Sequence, residues 1–150
     1  MREDFVKTIA PRILEQASQL GYKFPSAIIA QACLESNFGE SLLSKKYYNY
    51  FGLKCGSSWK GRSVNLKTKE EYTPGTLTTI RDNFRAYSSM DDGVKGYFDF
   101  IKYKRYSNLK SATSTEDYIL RIIKDGYCTS SSYFYSCLDI INYYQLRQYD

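Results

Sequence analysis

Three carboxylates stand where a glutamate could do chemistry: Glu35, near the end of the apolar run at 28–38, and the adjacent pair Glu70 and Glu71 in an alternating stretch. A carboxyl buried in an apolar helix costs free energy unless it is paired or protonated. At the C-terminal end of a helix the dipole also disfavours a negative charge. Both effects raise the pKa of Glu35, and a carboxyl still protonated near neutral pH is what a general acid requires. The competing reading of the same helix is a plain edge glutamate, solvated or paired with Lys45 or Lys46; the helix alone leaves the two open.

The chain of 150 residues contains no His. That removes Ser-His and Cys-His nucleophiles and His-based metal sites together. Cys33, Cys55, Cys128 and Cys137 lack any Cys-x-x-Cys spacing, so no metal and no cofactor is expected. Cys33 reads as a buried free thiol, and a Cys128–Cys137 bridge would require secretion. Chemistry must therefore rest on carboxylates, Tyr, Lys or Arg.

The elements that position these residues follow from periodicity. Phe5, Ile9, Ile13, Ala17 and Leu20 recur at helical spacing, with Pro11 expected to kink the helix or restart it. Pro25 opens a second helix running to Asn37 or Phe38, with Gly39 as its cap. Ile28, Ala32 and Glu35 share a face of it. Val64, Leu66 and Thr68 alternate with Asn65, Lys67 and Lys69, Thr73-Pro74-Gly75 is a turn, and 77–84 is rich in β-formers. This is a hairpin on which Glu70 and Glu71 point to opposite faces, so one of them can face a groove; both could also be edge charges that discourage aggregation. Ser89 and Ser114 begin capping boxes of two further helices, and 134–144 forms a last one. The fold class is α+β, a helical body with a β lobe at roughly 59–86 in a single domain spanning 1–150. Two carboxylates across a groove are the minimal apparatus of glycoside hydrolysis, one protonating the leaving oxygen and the other assisting water.

No apolar segment is long enough to span a bilayer. The start of the chain shows no signal-peptide core, so either an export signal lies outside this sequence or the protein leaves the cell as phage lysis proteins do. A net charge of +5 suits a polyanion such as a bacterial wall, although charge alone fits nucleic acid or an ordinary basic surface equally. Nucleic acid is disfavoured because the basic residues form no stripe. The sixteen Tyr and eight Phe offer apolar faces suited to sugars, though most should be core.

Five blocks carry a family resemblance. Ala30-Gln31-Ala32-Cys33-Leu34-Glu35-Ser36-Asn37-Phe38-Gly39-Glu40-Ser41 resembles the Ala-Gln-Ala-x-Leu-Glu-Ser-x-x-Gly-x-Ser block of glycoside hydrolase family 73, bacterial and phage β-N-acetylglucosaminidases that cut peptidoglycan. Asn49-Tyr50-Phe51-Gly52-Leu53-Lys54, Glu71-Tyr72-Thr73-Pro74-Gly75, Phe84-Arg85-Ala86-Tyr87-Ser88-Ser89 and Gly126-Tyr127-Cys128-Thr129 are similar to the family's other blocks, in order. The resemblance implies a lysozyme-like fold, Glu35 as general acid, Glu71 as second carboxylate, Tyr97 beside the scissile bond, and Asn49, Phe51 and Tyr127 lining the cleft. The extra acidic residue makes the second carboxylate depend on the direction of counting: Thr68 selects Glu70, whereas Tyr72 and the turn select Glu71. Glu71 is preferred, on the expectation that the turn fixes register. The second carboxylate either activates water or orients it while the substrate's N-acetyl group attacks. The implied substrate is the peptidoglycan glycan strand, acted on by a monomer, secreted, wall-associated or released at lysis, without membrane insertion. The alternatives are a lytic transglycosylase or muramidase on the same polymer, and a non-catalytic wall-binding module.

Overall fold

The computed structural model describes residues 1–150. Its centre is α2 (Pro25–Ser36), in which every residue except Leu34 and Glu35 is buried. A helix apolar on all faces has to be surrounded. Here α1 (Arg2–Leu20), α5 (Thr115–Lys124), α6 (Tyr133–Tyr143) and a 3₁₀ turn at Leu146–Tyr149 pack around it. Full burial of Ile28 and Ile29 contributes on the order of 1.5–3 kcal/mol each.

Pro25 occupies the first turn of α2, where its missing N–H costs nothing. Asp150 caps the same end. Its Oδ1 accepts from Ser26 N at 2.8 Å, and its Oδ2 accepts from Ser26 Oγ at 2.6 Å and Thr115 Oγ1 at 2.9 Å. One carboxylate thus serves the positive N-terminal ends of both α2 and α5.

The expected interruption at Pro11 does not occur. Helix α1 runs unbroken through it, with the Pro on the exposed side. Val6, Ile9, Ala10, Ile13 and Ala17 are buried on both sides of the Pro, and that packing offsets a break costing about 3 kcal/mol. Two capped helices follow the sequence signals: Ser89 Oγ accepts from Asp92 N before α4 (Met90–Phe100), and Ser114 Oγ accepts from Asp117 N before α5. A short α3 (Leu42–Tyr47) and a 3₁₀ segment at Lys104–Ser111 had no clear apolar period to announce them.

The β lobe is a two-stranded antiparallel hairpin of β1 (Ser63–Thr73) and β2 (Thr76–Arg85). Val64, Leu66, Thr68 and Glu70 are partly buried on one face, while Asn65, Lys67 and Lys69 are exposed on the other. Pairing is regular from Ser63↔Arg85 to Glu70↔Thr78 and resumes at Thr73↔Thr76. Two residues, Glu71 and Tyr72, therefore oppose Leu77 alone: β1 carries a bulge. An isolated hairpin is marginal, and this one is tied at its base by a Lys54↔Phe84 bridge and by Arg85 N donating to Leu53 O at 2.9 Å. No helix is long and apolar enough to cross a membrane.

Candidate active site

A cleft of about 1010 Å³ runs between the helical body and the hairpin, and Glu35, Gly52, Lys54, Glu70, Tyr127 and Tyr133 are among its lining residues. Glu35 reaches it from the last turn of α2. The backbone immediately beyond is unusual, with Asn37, Phe38 and Gly39 all left-handed at φ 49°, 54° and 80°. Asn37, rather than Gly39, is the C-cap, its N–H turned back to Cys33 O and Leu34 O. A left-handed Phe is costly by about 1–2 kcal/mol. Packing holds it: the Phe38 ring lies 5.4 Å from Tyr144 and 6.4 Å from Phe5, with the Arg2 guanidinium 4.4 Å from its centroid. The helix end that aims Glu35 is therefore pinned from outside.

Glu35 makes neither a salt bridge nor a side-chain hydrogen bond within the protein. Burial above all, and then the negative charge of Glu70, raise its pKa to about 7, with Lys54 pulling the other way. Across from it, Gly52 is left-handed at φ 65°, and a Cβ built there would collide with Glu35 Oε2. Glycine is required at this position both by the backbone and by the carboxyl in front of it.

Glu70 is the hairpin carboxylate that faces Glu35. Its Oε2 accepts from Lys54 Nζ at 3.0 Å and from Thr68 Oγ1 at 3.4 Å, and its Oε1 accepts from Thr129 Oγ1 at 2.9 Å. Lys54 is shared with Asp82 at 3.6 Å, so the ammonium is held between β1 and β2. Four acceptor positions are available on a carboxylate; three are occupied, and the free one is on Oε1.

Glu71, preferred from the turn, lies outside the cleft lining. Its Oε2 accepts from Gly75 N at 3.1 Å and its Oε1 from Ser131 N at 3.4 Å. Those contacts, Ser131 first, hold its carboxyl below the ordinary value. The bulge is the reason: it inserts one residue between Glu70 and the turn, so counting back from the turn arrives one residue late. Thr68-x-Glu70 lies before the bulge and keeps the alternation.

Three other positions named from the resemblance fall one layer beneath the cleft. Tyr97 is fully buried, stacked on Phe51 at 4.3 Å, with its hydroxyl donating to Gln31 Oε1 at 2.7 Å and lying 2.6 Å from Tyr118 Oη. Phe51 is core as well. Asn49 is buried and braces the loop: its Nδ2 donates to Leu53 O and Arg85 O at 3.0 and 2.9 Å, and its Oδ1 accepts from Phe51 N and Leu53 N. These residues support Gly52 and Lys54 from behind. Tyr127 does line the cleft, and its hydroxyl donates to Phe51 O at 2.8 Å.

Lys54, Thr129 and Tyr133 were not singled out by sequence. Lys54 and Thr129 each close a quoted block and could have been found there, whereas Tyr133 reaches the cleft only through folding. All four cysteines are free. Burial pushes the Cys128 thiol, beside the cleft, up to about 12, so it is no nucleophile at neutral pH.

Residues 10–146 match the family model described as mannosyl-glycoprotein endo-beta-N-acetylglucosaminidase. The chain belongs to this glucosaminidase family. Among its relatives, peptidoglycan hydrolase FlgJ of Pseudomonas aeruginosa is 31% identical over 137 residues, covering 87% of this chain and 34% of that protein. A probable N-acetylmuramidase of Lactococcus lactis subsp. cremoris is 33% identical, covering 99% of this chain and 35% of that protein. The glucosaminidase chain thus spans about a third of the length of these curated relatives. A crystal structure of a mutant peptidoglycan hydrolase from Sphingomonas sp. A1 superposes with a TM-score of 0.83 at 31% identity, covering 97% of this chain and 96% of that one.

Proposed function

We propose that the protein is a peptidoglycan hydrolase that cleaves the β-1,4 bond after N-acetylglucosamine in bacterial wall glycan, with Glu35 as general acid and Glu70 as the assisting carboxylate. The observation that carries this reading is Glu35: a carboxyl open to a cleft, with no partner in the protein and a pKa raised to about 7. A protonated carboxyl at neutral pH can give its proton to the glycosidic oxygen as the bond breaks. Positive charge then develops at the anomeric carbon. Glu70, oriented by Lys54, Thr68 and Thr129, supplies negative charge on the facing wall. Its free Oε1 position can accept from an attacking water or from the substrate's N-acetyl N–H. Membership of the glucosaminidase family and the likeness to peptidoglycan hydrolases support the substrate. The site of action is then the cell wall, reached by secretion or by release at lysis.

The test is paired substitution with product analysis. Glu35→Gln and Glu70→Gln should each lower the clearing of purified sacculi by roughly 10²–10⁴-fold, whereas Glu71→Gln should cost several-fold at most, through loosening of the hairpin tip. Borohydride reduction and mass spectrometry should find N-acetylglucosaminitol at the new ends. N-acetylmuramitol would transfer the reading to the muramidase activity in the Lactococcus relative's name. A 1,6-anhydro end would mean a transglycosylase. Clearing at the parent rate by Glu35→Gln would refute the general acid, whereas a parent that binds sacculi without clearing them would be a binding module.

A further inference from the structure

Arg85 is a buried cation with no carboxylate partner. Only 4% of it is exposed, and it forms no salt bridge anywhere in the chain. Burying an isolated charge is expensive, and here aromatic rings take the place of an anion. The guanidinium carbon lies 4.8 Å from the Trp59 ring centroid, 5.0 Å from that of Phe100 and 5.9 Å from that of Tyr103, distances at which cation–π attraction operates. Two of its nitrogens are used: Nε donates to Lys54 O at 2.9 Å and Nη2 to Tyr103 Oη at 3.2 Å. Nη1 donates to nothing in the protein. Yet Tyr87 Oη is the sole fully buried side-chain nitrogen or oxygen without a partner. The Tyr87 hydroxyl lies beside the same guanidinium, whose charge pulls down a pKa that burial raises, and Arg85 itself lines the cleft.

Its neighbours along this cleft have the same sign. Lys104 and Arg105 line it, are exposed, and are paired with no carboxylate. Tyr103, which holds Arg85, also lies 3.0 Å from Ser58 Oγ, so hydroxyls border the cations. Glu35 and Glu70 are the only acidic residues lining the cleft, and neither pairs with Arg85.

A rigid planar donor without a carboxylate partner, held by rings and flanked by exposed cations, matches a carboxylate. Resting on the hydrolase reading above, we propose that Arg85, with Lys104 and Arg105, forms a subsite for a free carboxylate of the peptide stem carried by the muramyl residue of the glycan. The sugar backbone itself is uncharged, so this subsite reads the stem and not the glycan. It makes the enzyme selective for stems whose carboxylates are free over stems in which they are amidated.

The experiment uses three soluble glycan preparations of equal chain length, all stripped of phosphate polymers: stems with free carboxylates, the same stems amidated, and glycan with the stems removed and the lactyl carboxyls thus exposed converted to amides. For the parent, kcat/KM should be roughly tenfold higher on free than on amidated stems, the difference lying in KM and shrinking with added salt. In Arg85→Gln, and in the exposed Lys104→Ala/Arg105→Ala double variant, the free-to-amidated ratio should fall several-fold towards one. The double variant keeps the test decisive if Arg85→Gln fails to fold. Equal parent rates on free and amidated stems, or variants that slow on all three substrates with an unchanged ratio, overturn the subsite while leaving the hydrolase reading intact. Failure of the parent to cleave any of the three overturns both.

Discussion

If Glu35 is held as an acid against its own tendency to ionise, the protein should be more stable without it, and only at high pH. In the unfolded chain a Glu ionises near 4.5, whereas in the fold Glu35 does so near 7. Below about pH 4.5 both states are protonated and the site contributes no penalty. As pH rises towards 7 the unfolded state releases its proton and the folded state does not, so stability falls. Above 7 the loss is complete. The gap between 4.5 and about 7, at about 1.4 kcal/mol per tenfold change, amounts to about 3 kcal/mol. Glu35→Gln removes the titration while keeping the shape. For a chain of this size that is an upper limit of roughly 6–12 °C in Tm. Calorimetric melts of parent and variant from pH 4 to 9 should superpose at the acid end and diverge between pH 4.5 and 7, with the variant more stable and almost inactive. Parallel curves separated by a constant offset would refute the buried-acid argument, whatever the activity of the variant.

Two further outcomes follow from the neighbouring contacts. Lys54→Met removes the positive charge that lowers the pKa of Glu35, so the alkaline limb of kcat/KM against pH should move upward, with a lower maximum because Glu70 loses its 3.0 Å anchor; a limb that stays or moves down would contradict the arrangement. Asp150→Ala removes the acceptor shared by α2 and α5 and should cost about 1–2 kcal/mol in urea unfolding at neutral pH, with the pH dependence of activity unchanged.

The helical body was legible because its signals are local. An apolar run with one carboxylate near its end announced α2 and Glu35, and Ser89 and Ser114 announced their helices from the residue just before each. What failed were inferences about depth and phase. Tyr97 and Phe51 sit at helical or loop positions where an aromatic ring serves equally well as cleft wall or as core, and only the tertiary arrangement puts them a layer down. Asn49 is similar: its side chain meets four backbone groups of one loop and β2, which spacing alone does not reveal. Arg85 belongs to a quoted block, yet its rings come from two other stretches of chain, Trp59 and the Phe100–Tyr103 segment.

The Glu70–Glu71 pair shows how one inserted residue divides labour between adjacent side chains. In a regular strand the two would alternate across the sheet, and the turn would follow at fixed phase. The bulge breaks that phase just after Glu70. Glu70 keeps the inward face set by Leu66 and Thr68, while Glu71 is re-aimed along the strand towards Gly75 N and across to Ser131 N. Thr129 joins the two, donating its hydroxyl to Glu70 Oε1 and accepting from Glu71 N. The carboxylate facing Glu35 and the backbone N–H of the residue that secures the hairpin tip thus share one hydroxyl on the opposite wall. Loosening Glu71 should therefore reach the chemistry only through the position of Glu70, as a modest loss of rate with the Glu35-governed alkaline limb unmoved, whereas removing Glu70 takes away the second carboxylate itself.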